Sequence, residues 1–140
     1  MTLSSAIDTV LDRSIALGYG HPGLNVRRHL GWWPGELPRM DGAVVVVTGA
    51  ASGLGLASAR GFAQLGASVR ALARNEQRAR DAVALIIESV PGADVRPVAC
   101  DLSSLAAMKD FAERFNEQED RLDVLVNNAG VMPQERTRSA

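Results

Sequence analysis

Among its 140 residues the chain has one cysteine, one lysine and one tyrosine, and aromatic side chains make up only 4%. Cys100 alone cannot close an internal disulfide. His21 and His29 stand at no ligand spacing to it or to each other, so no metal site is expected. Long apolar runs are missing too. The longest, Ala82 to Ile87, falls far short of the ~18 residues of a membrane-spanning helix, and no cationic start leads into an apolar signal core. The cytoplasm is therefore the expected location. Neither sign of charge dominates, with 15 basic against 16 acidic side chains, which argues against nucleic acid as a partner. What remains, 46% hydrophobic and 22% charged, is ordinary globular composition. The length suits one domain of about 100–150 residues, but not a cofactor domain and a separate substrate domain.

Residues 1–42 differ from the rest and are treated as an amino-terminal extension. An amphipathic helix carrying Leu3, Ile7, Val10, Leu11 and Leu17 precedes a loop rich in Gly, Pro, Trp and Arg. Within it, Arg27, Arg28, His29, Trp32 and Trp33 could rest at a membrane interface, but an arm packed on the domain is the favoured reading. From Ala43 the pattern changes. The β-branched run to Thr48 lacks polar alternation, as a strand buried on both faces does. A helix with Leu54, Ser58, Phe62 and Leu65 on one face follows, stopped by Gly66 before a strand at Ser68 to Ala73. Ala79, Val83, Ile86 and Val90 mark a second helix, and Val95 to Ala99 a third strand. Ser103 can cap a helix carrying Leu105, Met108, Phe111 and Phe115, and Leu122 to Asn127 reads as a fourth strand. Such alternation predicts a doubly wound parallel α/β sheet.

The loop Thr48-Gly49-Ala50-Ala51-Ser52-Gly53-Leu54-Gly55 lies directly between the first strand and the first helix. Glycines there permit a tight turn and close approach of backbone N–H groups to a pyrophosphate, whose charge the helix dipole favours. A glycine-rich turn without a ligand is the plainer alternative, but the position between strand and helix favours the phosphate cradle. A Walker-type loop is excluded because no Gly-Lys-Ser/Thr follows, and the only lysine is Lys109. The glycine spacing also departs from the Gly-x-Gly-x-x-Gly dinucleotide fingerprint.

Together with Cys100-Asp101-Leu102 after the third strand and Asn127-Asn128-Ala129-Gly130 after the fourth, the loop resembles the short-chain dehydrogenase/reductase family over about residues 43 to 133. The extension resembles that of a subgroup typified by dehydrogenase/reductase member 12, which identifies no substrate. The family resemblance implies a Rossmann-type doubly wound sheet in residues 43–140, truncated after the fourth strand, and hydride transfer between a nicotinamide cofactor and a carbonyl or alcohol. It also implies that Gly49, Ser52, Gly53, Leu54 and Gly55 line the pyrophosphate and that Asp101, followed by Leu102, accepts a hydrogen bond from the adenine amino group. Asp101 could instead cap the third helix, although Ser103 already offers that cap. Asn127 would brace the sheet, while Asn128, Ala129 and Gly130 run beside the ribose.

Cofactor choice turns on the end of the second strand, where an acidic side chain would favour NAD. Ala73 stands there, followed by Arg74, whose planar donor fork suits the 2′-phosphate of NADP. NADP is the expected cofactor, with NAD the lesser candidate, unless Arg74 is merely a solvated charge among Arg70, Arg78 and Arg80.

No catalytic residue can be assigned. The family's tyrosine with a lysine four residues later is missing, because Tyr19 precedes the glycine loop and is followed at that spacing by Gly23. Lys109 is expected on a solvated helix face, Cys100 as a small buried residue, and Glu117, Glu119 and Asp120 as a solvated helix end. The chain is therefore expected to be an inactive amino-terminal piece of a longer oxidoreductase acting on a small carbonyl or alcohol. Strand order 3-2-1-4 would leave the fourth strand at an open edge, which favours self-association or a homo-oligomer. The competing readings are a non-catalytic NAD(P)-binding or sensing module and a membrane-associated protein organised by the extension.

Overall fold

A computed structural model describes residues 37–131 together with Asn25, Val26 and His29. The helix, tryptophan loop and Tyr19 of the extension lie outside the described residues, as does the likeness to the member 12 subgroup. The chain divides into two units, Met1–Pro38 and Arg39–Ala140. The second holds β1 (Val44–Thr48), α1 (Gly53–Gln64), β2 (Ser68–Ala73), α2 (Glu76–Ser89), β3 (Val95–Ala99), α3 (Leu105–Gln118) and β4 (Val124–Val126). Its strands form one parallel sheet in the order β3-β2-β1-β4. No helix among the described residues is long and apolar enough to cross a membrane.

Two half-cores explain why β1 is apolar from Val44 to Val47. Val45 and Val47 pack with Val69, Ala71 and Val95 beneath α1 and α2, whereas Val46, Leu72 and Cys100 face α3 on the other side. With helices on both sides of the sheet, the alternation of an exposed strand has no place. Asn75 caps α2 by accepting from the Arg78 N–H at 3.0 Å, and Ala79, Ala82, Val83 and Ile86 form its buried face.

On α1 the buried residues are Gly55, Ala59 and Ala63, while Leu54, expected on the apolar face, is 80% exposed. The packed stripe is turned by about one residue because the helix begins so close to the glycine loop that only small side chains fit beneath it. Ser104, rather than Ser103, caps α3, accepting from the Ala107 N–H at 3.3 Å. Ser103 instead donates its N–H and hydroxyl to Asp101 Oδ1 at 3.0 and 2.8 Å. The turn between β3 and α3 thus needs both serines.

β4 is shorter than the sequence pattern suggests, since only Val124 to Val126 find partners along β1. Its entry is pinned by Asp123, whose carboxylate accepts from the Val44 N–H at 2.8 Å while its own N–H donates to the Val44 carbonyl at 2.9 Å. Leu125, which pairs with Val46 and shares its face, is 51% exposed. Among the described residues β4 is thus an edge strand, as the strand order requires.

Glu119 and Arg70 correct the sequence reading. Both were expected in solvent, yet their side chains are only 12% and 5% exposed. Arg70 Nε and Nη2 donate to the two Glu119 oxygens at 2.5 and 2.9 Å, and Nη1 faces Asp94 at 3.4 Å. Burial opposes the guanidinium charge, but the Glu119 and Asp94 carboxylates together outweigh it, and the Arg70 pKa lies above its ordinary value. A mid-strand cation is tolerable there because the end of α3 brings its counter-ion.

Candidate functional site

Thr48 ends β1 with its hydroxyl fully used. Oγ1 donates to the Val126 carbonyl at 3.0 Å and accepts from the Asn128 and Ala129 N–H groups at 2.9 and 3.0 Å. One donor and two acceptors is all a hydroxyl offers. Asn128 returns the contact, its side-chain amide donating to the Thr48 carbonyl at 2.9 Å. This exchange ties the glycine loop to the segment after β4. Asn127, expected to brace the sheet, is exposed, and the bonds between the two strand ends are made by Asn128.

Beyond Thr48 the backbone turns through Gly49 at φ +66° and Gly53 at φ +54°, a region that disfavours side chains. Gly55 is constrained differently. A methyl group there would collide with the Gly49 carbonyl and the Asn128 amide nitrogen. The first turn of α1 thus lies against the loop, with its N–H groups directed toward the carboxyl ends of the strands. Ser52, the N-cap residue, makes no side-chain capping bond, and no acidic residue lies in that first turn. α2 and α3 are capped by Asn75 and Ser104, whereas α1 keeps its donors and dipole free for an anion.

A cleft of about 700 Å³ opens over these elements. Gly49, Ser52, Leu54 and Gly55 line it from the glycine loop, and Asn128, Ala129 and Gly130 from the segment after β4. Arg74 enters from the end of β2, and Asp101 and Leu102 from the end of β3. Gly53 serves the turn without lining the cleft. The crevice sits where the strand order reverses from β1 toward β2 on one side and β4 on the other, the place where open parallel sheets bind ligands.

Arg78 and Ser103 also line the cleft. Arg78 was grouped with solvated arginines. Its placement in the first turn of a helix starting three residues after β2 was the signal that could have singled it out. Cys100 lines the wall as well, but it is a buried thiol whose pKa burial raises and whose Sγ lies 3.6 Å from the Ala107 carbonyl. Such a group is a poor nucleophile. Lys109 is exposed on α3.

Electrostatically, the part of the cleft at the ends of β2 and β3 is mixed. The Ser103 N–H and hydroxyl, donating to Asp101, hold its carboxyl below the ordinary carboxylate range, with a smaller contribution from Arg74. Arg74 Nε stands 4.0 Å from Asp101 Oδ1, both side chains being well exposed. Glycine cradle, free helix dipole and a cationic rim fit a dinucleotide phosphate.

A model of the family described as short chain dehydrogenase matches residues 43–140. The chain belongs to the short-chain dehydrogenase family. Among curated relatives, this short-chain dehydrogenase is 37% identical over 112 residues to the short chain dehydrogenase/reductase dpfgH of Gibberella zeae, covering 78% of the chain and 32% of that protein. It is 38% identical over 103 residues to the human polyprenol dehydrogenase, covering 72% and 31%. The solved structure of a metagenomic short-chain oxidoreductase in complex with NADP superposes with a TM-score of 0.61 at 42% identity, covering 66% of this chain and 41% of that one. The chain thus spans about a third of the length of the curated relatives it matches. Residues 43–140, matched by the family model, take in the whole sheet and the glycine loop.

Proposed function

We propose that this chain carries the cofactor-binding half of an NADP-preferring oxidoreductase that moves hydride between NADP(H) and a small carbonyl or alcohol. The uncapped amino terminus of α1, set behind a loop in which Gly49 and Gly53 take positive φ and Gly55 has no room for a methyl group, carries the proposal. Gly49, Ser52, Leu54 and Gly55 would hold the pyrophosphate, with the Ser52 hydroxyl as donor, and Asn128 to Gly130 would run along the ribose. Asp101 would take the adenine amino group. When bound, the nicotinamide supplies the hydride chemistry, while the residues in this chain bind and orient the dinucleotide.

Preference for NADP rests on the rim. Ala73 leaves no carboxylate at the end of β2 to hold a ribose 2′-hydroxyl, and both Arg74 and Arg78 face the cleft. Two guanidinium groups suit a 2′-phosphate, which one arginine alone can grip through paired donors. The relative solved with NADP supports the nucleotide class. Titration with NADP and NAD tests the reading: Arg74→Ala should weaken NADP binding by about tenfold or more, the loss of a charge-assisted contact, and NAD binding far less. Equal losses for both cofactors would show that Arg74 is a surface charge without a ligand.

A further inference from the structure

Arg74 does not wait in the cleft as an isolated cation. Its Nε stands 4.0 Å from Asp101 Oδ1, and that same oxygen is held by the Ser103 N–H and hydroxyl at 3.0 and 2.8 Å. The carboxylate is therefore fixed by its own turn, and Arg74, 66% exposed at the end of β2, is the partner free to move. Both groups line the cleft, at the ends of adjacent strands β2 and β3, on the side away from the segment after β4.

We infer that Asp101 sets how strongly the site prefers NADP over NAD, by holding Arg74 in an ion pair that a 2′-phosphate must displace. The inference rests on the cofactor reading above and adds an opposing residue to it. An incoming NADP must draw the guanidinium toward its phosphate and away from a carboxylate that cannot follow. NAD makes no such demand, so Arg74 keeps its partner and binding proceeds without that exchange. Asp101 thus lowers affinity for the phosphorylated cofactor only, and Arg78, the other cation on this rim, supplies part of the compensating charge. Asp101 is here a positioning residue for Arg74, separate from any contact it makes to adenine. Exposed ion pairs of this kind alter an equilibrium by about two- to fivefold, less as salt rises.

Asp101→Asn is the direct test, because the amide oxygen can still accept from Ser103 while the charge is gone. Affinities of the chain for NADP and NAD, and for 2′,5′-ADP and 5′-AMP, would be measured by calorimetry at low and high ionic strength. The adenine contact is common to each pair of ligands and cancels in the ratio. The ratio should shift toward the 2′-phosphorylated ligand by about two- to fivefold in Asp101→Asn, with a smaller shift at high salt. In an Arg74→Ala background the same substitution should leave the ratio unchanged. An unaltered ratio in Asp101→Asn would overturn the inference. So would a shift that persists in full without Arg74, since the carboxylate would then act on the phosphate directly. Wild-type chain that binds neither dinucleotide would defeat the cofactor reading itself, and this inference with it.

Discussion

Glu119→Gln isolates a buried ion pair that fastens α3 to the sheet. α3 buries no residue fully, and its apolar side chains Met108, Phe111 and Phe115 are only half-buried against Val46, Leu72 and Cys100. The helix therefore depends on the two bonds, 2.5 and 2.9 Å, between Arg70 and Glu119. Removing one member of a buried pair costs ~3–5 kcal/mol, and losing a hydrogen bond to a charged group ~1.5–3 kcal/mol. Glutamine keeps one acceptor, and Asp94 still faces the guanidinium at 3.4 Å, so the loss should fall at about 2–3 kcal/mol. For a domain of this size, with a urea m-value of ~1.5 kcal/mol/M, the midpoint should drop by about 1.3–2 M. Glu117→Gln, at an exposed position on the same helix, is the control and should stay within about 0.5 kcal/mol of wild type. The reasoning fails if urea unfolding shows the two variants equally harmless.

Thr48→Val keeps the shape of the β1 terminus but leaves the Asn128 and Ala129 N–H groups without their acceptor. It should cost about 1–3 kcal/mol in chemical unfolding and weaken nucleotide binding, and wild-type behaviour in both would show the tie to be incidental. Asp123 supplies an acid-sensitive joint. Arg121, and then the Val44 N–H, hold its carboxyl below the ordinary value. A depressed folded-state pKa adds stability above the unfolded value of ~3.9, lost as pH falls through the lower folded value. Thermal melts from pH 6 to pH 2 should show Asp123→Asn less stable at pH 6 but with a shallower decline below pH ~4. Parallel curves would remove Asp123 from the acid response.

The fold was legible because its signals were local. β2 and β3 were each announced by the breakers before them, Gly66 and Pro91-Gly92, and four valines in a row told of a strand covered on both faces. Strand order also followed from the connections. What the sequence hid were contacts between residues far apart in the chain. Nothing near Arg70 announces that Glu119, on another element, will neutralise it. The cap of α3 was assigned to Ser103, and only three-dimensional placement shows Ser103 engaged by Asp101 and Ser104 by the helix. That Asn128 is the residue that meets Thr48 was hidden for a similar reason, since the two lie 80 positions apart in the chain. Of the site, the glycine loop, Arg74, Asp101 and the Asn128 segment were readable as motifs and converge on one cleft. Arg78 was not, since its role depends on where the first turn of α2 points.

The central claim is that the glycine loop and the free end of α1 form a dinucleotide cradle, and calorimetric titration of NADP into wild type and Gly55→Ala tests it most directly. A methyl group at Gly55 would strike the Gly49 carbonyl and displace the loop. The account predicts saturable binding to the wild-type chain at one site and a loss of at least tenfold in the variant. Equal binding by both proteins, or none by the wild type, would contradict it.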